Sequence, residues 1–292
     1  MSNSKQLIKG LIAYPISPFN SEDKIDEFSY REILNDLIKA KANAIAALGS
    51  TAENSYLKMS EWEALLNITL DEVKSKLPVI VGISELTTDA AITKAKLAEK
   101  SGASALMVLT ASYWKLTEEE IYHHYLNIAK KTDLPIMLYN NPATSGIDIR
   151  PELIVKIFRE IPNVTMVKES SADIRRMHAL KSLSDGELPF YCGCNSLALE
   201  ALLIGAAGWC TCTPAVIGDS PAKLIEAVNK SDLKAAKEIF FKQIDFYNFI
   251  VDHGLVRAIK AAYQIQGKDY GNPRLPLQPL NNLDMEKLSL IL

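Results

Sequence analysis

Lys168 closes the apolar run Val164-Thr-Met-Val-Lys168, and that placement is the first sign of chemistry in the chain. A lysine at the crowded end of a buried strand is partly desolvated. Desolvation disfavours the ammonium and leaves a free amine able to attack a carbonyl carbon. The alternative is a lysine that caps a strand in solvent. Tyr139 ends a second apolar run, Leu134–Tyr139. A phenol near such an amine could move the protons that imine formation requires, or simply pack at a rim. The Gly49-Ser50-Thr51 turn offers two hydroxyls and several backbone N–H groups, a cradle for a carboxylate, although small polar turns are common.

Two further sets of residues invite a metal. Cys192-Gly-Cys194 and Cys210-Thr-Cys212 end two consecutive apolar runs, and neighbouring strands could gather four thiolates. Structural zinc sites space their cysteines more widely, and small buried residues are the simpler reading. His123, His124, His178 and His253 fall within helical stretches and none ends a strand, which argues against a histidine–metal hydrolase. No metal and no organic cofactor is expected.

The elements that position these residues alternate regularly. Eight apolar runs recur: Gly10–Tyr14, Ala44–Leu48, Leu77–Ile83, Ala103–Leu109, Leu134–Tyr139, Val164–Lys168, Leu188–Cys192 and Ala207–Cys212. Most lack polar alternation, as strands buried on both faces of a parallel sheet do. Segments of helical spacing separate them. Ser60-Glu-Trp-Glu63 and Thr117-Glu-Glu-Glu120 fit capping boxes, and Pro151 and Pro221 stand where a first helical turn tolerates proline. Eight such units predict an α/β fold, a (β/α)₈ TIM barrel. An open doubly wound sheet would want a glycine-rich turn after the first strand, whereas Tyr14-Pro-Ile-Ser-Pro18 follows it. Residues 1–225 are assigned to the barrel and 226–292 to a helical extension packed on it. In that extension Ser231 to Ile250, Leu255 to Ile265 and Asp284 to Leu292 read as helices, and the proline-punctuated segment 271–279 as extended chain.

Thirty-two basic and 35 acidic residues give a net charge of −3, which argues against a nucleic-acid partner. A hydrophobic content of 48% excludes a disordered chain. Met1-Ser-Asn-Ser-Lys-Gln6 leads into no secretory signal, and no apolar stretch approaches the ~20 residues a membrane span needs. Four cysteines make no disulfide framework, so a cytoplasmic protein is expected.

Gly49-Ser-Thr-Ala-Glu53, Tyr113, Tyr139-Asn-Asn-Pro-Ala-Thr-Ser-Gly146, Val167-Lys-Glu-Ser170 and Gly193 together resemble the signature set of the dihydrodipicolinate synthase / N-acetylneuraminate lyase family. The similarity runs in order from about Gly10 to Leu280. It implies a lyase or aldolase in which Lys168 forms a Schiff base with pyruvate or a related 2-keto acid and a neighbouring C–C or C–O bond is made or broken. It implies Tyr139 as general acid/base, relayed through Ser50 and through Tyr113 of a neighbouring subunit. Ser50 and Thr51 would hold the keto-acid carboxylate, Gly193 and Cys210 would line its pocket, and Ser170 would face the second substrate. A homotetramer built from tight dimers is implied as well.

Departures from the pattern bear on that second substrate, expected to be an aldehyde or sugar acid. The synthase branch carries an arginine after its tyrosine for the carboxylate of aspartate semialdehyde; the matching position here is Thr144, and no arginine lies between Tyr139 and Arg150. An Arg–carboxylate pair is strong and geometrically exacting, so its loss counts against that substrate. Cys194 and Asn195 replace the acidic residues of the sialic-acid branch, and Ala52 replaces a usual glycine. Glu53-Asn54, Glu85-Leu-Thr-Thr88, Asn140-Asn-Pro142 and Ser171-Ala-Asp-Ile-Arg-Arg176 look more like branches that handle sugar-acid or hydroxyproline-derived keto acids. Arg175 and Arg176 could meet a distal carboxylate, or be solvated charges at a helix start. Three other readings stay open: a genuine dihydrodipicolinate synthase, a keto-acid sensor without turnover, and a metal-dependent barrel lyase.

Overall fold

The computed structural model describes residues 8–292; the opening segment read for a secretory signal lies outside them. Eight parallel strands close into a barrel: β1 (Gly10–Ala13), β2 (Ala44–Ala47), β3 (Val79–Ile83), β4 (Ala105–Leu109), β5 (Ile136–Asn140), β6 (Val164–Glu169), β7 (Phe190–Cys192) and β8 (Gly208–Thr211). β8 pairs with β1, Gly10 opposite Gly208, so no strand edge is left unpaired. Several strands begin two residues later than their apolar runs, because the ladder starts after the chain has entered the core from the preceding turn. Residues of β2 through β5 are all buried, which explains the missing polar alternation.

Helices between the strands start where their sequences provide a stop for free N–H groups. Thr117 and Glu120 form the expected capping box on Glu118–Ala129, with Glu120 Oε2 accepting the Thr117 N–H at 2.7 Å. The box predicted at Ser60 is shifted two residues. The helix starts at Met59, and the Glu61 carboxylate accepts the Lys58 N–H at 2.8 Å while also holding Arg274 at 2.8 Å. That second contact comes from far along the chain.

The helix expected over Ser231 to Ile250 is two helices, Leu233–Lys242 and Ile244–His253, broken at Gln243. Phe240 and Tyr247, on either side of the break, meet at 5.7 Å, and Tyr247 meets Trp209 of β8 edge-on at 5.5 Å. Leu255–Ile265 forms as read, and the last helix is Asn282–Ile291. The helix Ser220–Asn229 runs across the 225/226 boundary drawn from sequence. Among the described residues no helix is long and apolar enough to cross a membrane.

Candidate active site

In a parallel barrel every strand delivers its last residues to one face, so side chains distant in sequence converge there. Register places Tyr139 of β5 directly opposite Lys168 of β6. Both are buried, and the Lys168 ammonium lies 3.9 Å from the centre of the Tyr139 ring. Tyr14, immediately after β1, brings a second ring to 4.4 Å. Two aromatic faces thus hold one cation in a shielded place. A cavity of about 600 Å³ opens above it, lined by Ser50, Thr51, Tyr139, Lys168, Ser170, Gly193, Cys210 and Thr144 among others.

The two phenols of this cage are driven apart. Burial pushes Tyr14 well above the ordinary phenol range, and the neighbouring Cys210 and Tyr139 add to it. Burial pushes Tyr139 the same way, but the Lys168 charge and hydrogen bonds from Asn141, Ser50 and Lys168 more than offset it, leaving Tyr139 below its usual value. The Asn141 amide donates to the Tyr139 oxygen at 2.8 Å. Tyr14 donates its own hydrogen to the Met107 sulfur at 3.0 Å.

The Ser50–Ala52 turn follows β2 as a short 3-10 helix. Its Ala52, which replaces a glycine, does not have a positive φ, and its carbonyl accepts the Ser17 hydroxyl at 2.7 Å. The left-handed residue is Glu53, with φ of 57°. Glu53 is buried, pairs with buried Lys260 at 2.9 Å, and accepts the backbone N–H of Arg274. An unusual conformation for a non-glycine residue is therefore held from the C-terminal tail, by Lys260 of a helix and the extended segment at Arg274. Thr51 shares a hydrogen bond with the thiol of Cys212, which burial pushes up to about 12.

Gly193 lies against the amine itself. A Cβ there would stand 1.7 Å from Ser170 Oγ and 2.9 Å from Lys168 Cε, so any side chain would take the space of the reacting groups. Ser170 Oγ is buried without a hydrogen-bond partner, which leaves it free for a ligand. Beneath it Glu169, fully buried at the end of β6, accepts the Ser171 N–H at 2.7 Å and the Asn140 amide at 3.1 Å, and pairs with Arg176 at 3.4 Å.

Of the other sequence candidates, Thr144 and Asn54 line the cavity and several fall elsewhere. Tyr113 is 86% exposed and lies outside the cavity, edge-on to Trp114 at 5.5 Å. Thr144 stands at the cavity wall with its hydroxyl donating to the Asn141 carbonyl at 3.3 Å. Arg175 folds back on Asp173 at 2.7 Å in solvent, whereas Arg176 is largely covered and braces Glu169 and Asp148. Glu85 pairs with Lys94 rather than lining the cavity, and Asn54 donates to the Gly82 carbonyl at 3.3 Å. The four cysteines are free and buried, and no cluster of three or more metal-ligating side chains occurs among the described residues. Sequence reasoning assigned no role to Tyr14, although it stands at the end of the first strand, where the search was directed. It also missed Asn141 and the Glu53–Lys260 pair.

Comparison with known proteins agrees with this geometry. The family model described as the dihydrodipicolinate synthetase family matches residues 7–292. The 4-hydroxy-tetrahydrodipicolinate synthase of Thermodesulfovibrio yellowstonii is 31% identical over 98% of both chains, and that of Bacillus velezensis 30% identical over 94% of both. A solved structure from Pseudomonas aeruginosa, a candidate dihydrodipicolinate synthetase, superposes with a TM-score of 0.95 at 44% identity, covering 98% of each chain. The Acinetobacter baumannii dihydrodipicolinate synthase, solved with pyruvate bound, gives 0.93 at 29% identity over 98% of each chain. Barrel, cage and comparisons agree: the chain belongs to the dihydrodipicolinate synthetase family, a family of Schiff-base-dependent lyases.

Proposed function

We propose that the chain is a lyase that joins Lys168 to pyruvate or a related 2-keto acid and makes or breaks the adjacent bond, with a second substrate other than aspartate semialdehyde. The carrying observation is the cage of Tyr14 and Tyr139 around the Lys168 nitrogen, at 4.4 and 3.9 Å. Neutral Lys168 adds to the keto carbon, the carbinolamine loses water, and an iminium cation replaces the ammonium between the same two rings. Cation–π attraction that held the ammonium now favours the intermediate. That iminium draws electrons from the neighbouring carbon, either from the C–C bond being cleaved or from a C–H bond; the enamine formed in the second case adds to an aldehyde or expels an oxygen leaving group, which departs with the C–O electron pair. Tyr139, with its depressed pKa and its contacts to Ser50 and Asn141, accepts and returns the protons. Ser50 and Thr51 hold the keto-acid carboxylate, Gly193 and Cys210 leave room for it, and Ser170 Oγ meets the incoming co-substrate.

Thr144 supports a changed second substrate, because an uncharged side chain lines the cavity where the synthase branch has its arginine. The second reading, 4-hydroxy-tetrahydrodipicolinate synthase itself, is favoured by curated relatives of that name at 30 and 31% identity. A homotetramer, in which Tyr113 of a neighbouring copy joins the Tyr139–Ser50 relay, completes the proposal. Four buried free thiols suit a reducing cytoplasm.

Borohydride with pyruvate tests the chemistry: mass mapping is expected to find Lys168 alkylated, and an unmodified Lys168 overturns the mechanism. Condensation with aspartate semialdehyde then separates the readings. Wild type is expected to be slow with it and the Thr144→Arg variant faster. Rapid synthesis by the wild type favours the second reading, and trapping without turnover of any aldehyde or sugar acid would mean a sensor.

A further inference from the structure

Seven arginines occur in the chain, and six of them hold a carboxylate: Arg31, Arg150, Arg159, Arg175, Arg176 and Arg274. Arg257 has no ion pair and no hydrogen bond from its side chain among the described residues. It is half-buried and lines the Lys168 cavity from the C-terminal side. Gly254, Leu255 and Val256 line the cavity with it, so the first turn of the helix Leu255–Ile265 faces the same space and has no side-chain cap. A helix start and a guanidinium both favour negative charge. Arg257 also borders a second cavity that contains Asp23, Asp26 and Asp269. Those carboxylates are engaged elsewhere: Asp23 with Arg274, Asp26 with the Ser29 N–H, and Asp269 with the Gly271 N–H.

We propose that Arg257 is a specificity-determining residue, which binds a carboxylate at the end of the substrate remote from the Lys168 imine. The proposal rests on the Schiff-base reading above and names the class of substrate for that site: an oxo acid with a second, distal anionic group. The charge absent from the loop after Tyr139 is supplied instead by the helix Leu255–Ile265, whose first turn lines the same cavity. A partly desolvated charge-assisted pair is worth ~1.5–3 kcal/mol, or about 10- to 100-fold in affinity.

The test uses two keto acids of equal chain length, both able to form the imine: 2-oxoadipate, with a terminal carboxylate, and 2-oxohexanoate, with a terminal methyl. Their concentration dependence of borohydride trapping on Lys168 is measured for the whole protein beside that of pyruvate. Wild type is expected to trap 2-oxoadipate at concentrations about tenfold or more below those needed for 2-oxohexanoate. Arg257→Met is expected to abolish that preference, Arg257→Lys to restore part of it, and pyruvate trapping to stay unchanged in both. A preference that survives Arg257→Met, or a wild type with none, overturns the proposal. Failure of pyruvate to trap Lys168 in the wild type would instead sink the Schiff-base reading, so the two failures are distinguishable.

Discussion

Tyr14 and Tyr139 contact the same amine with opposite electrostatics, and that difference assigns their roles. A group that moves protons near neutral pH needs a pKa brought toward it, whereas one pushed away keeps its hydrogen and serves as a wall. Tyr139 is lowered because its ionised form gains the Lys168 charge and donors from Asn141 and Ser50; Tyr14 is raised by burial with no such compensation. The sign fixes the titration. A phenol depressed in the folded protein favours folding above its unfolded value of ~10, and that contribution is lost as pH falls through the folded value. In an ultraviolet titration of the folded protein Tyr139 is therefore expected to contribute a phenolate phase below the ordinary tyrosine range, and Tyr139→Phe to remove it. The same variant should lose about 10²–10⁴-fold in turnover, the usual share of a general acid/base, while Tyr14→Phe, which keeps the ring, should lose far less. Unchanged turnover in Tyr139→Phe would remove it from the proton path.

At the scale of elements, strands that end in chemistry are legible and contacts made by the tail are not. Lys168 and Tyr139 were readable because each ends an apolar run, and closing eight parallel strands sends such ends to one face. Lys260, Arg274 and Arg257 sit on helical or proline-rich stretches where nothing local separates them from solvated charges; only the tertiary fold brings them to the loop after β2 and to the cavity. The break at Gln243 was hidden because the apolar stripe is continuous across it: Phe240 and Tyr247, seven residues apart, would share one face of an unbroken helix as well. The tail is thus part of the site's scaffold, and the buried Glu53–Lys260 pair ties it to the loop after β2. Lys260→Met leaves a buried carboxylate at a left-handed position with its cation gone, which should cost ~3–5 kcal/mol. Adding Glu53→Gln should recover a large part, because removing both charges is cheaper than stranding one. Chemical denaturation of the two variants checks this; a double variant no more stable than the single one would mean that the pair does not hold the turn.

At the scale of the whole molecule, the isolated chain leaves one catalytic expectation outside the cavity. Tyr113 and Trp114 project from the loop after β4, 86% and 76% exposed, while Ala111 of the same loop lines the cavity wall. Two large aromatic side chains stacked edge-on in water form an apolar surface that a second copy could cover, and aromatic residues are enriched in the cores of such interfaces. If the neighbouring copy also uses Tyr113 in the proton relay, assembly and turnover depend on this loop through different atoms. Tyr113→Phe keeps the ring and removes only the hydroxyl, so mass in solution should be unchanged while turnover falls. Trp114→Asp places a charge in the contact, so mass should fall toward smaller species at micromolar concentration, and turnover with it. Light scattering and steady-state rates on the same samples separate the two effects. Full turnover in Tyr113→Phe would end the relay across subunits, and a Trp114→Asp protein of unchanged mass would move the interface to another face.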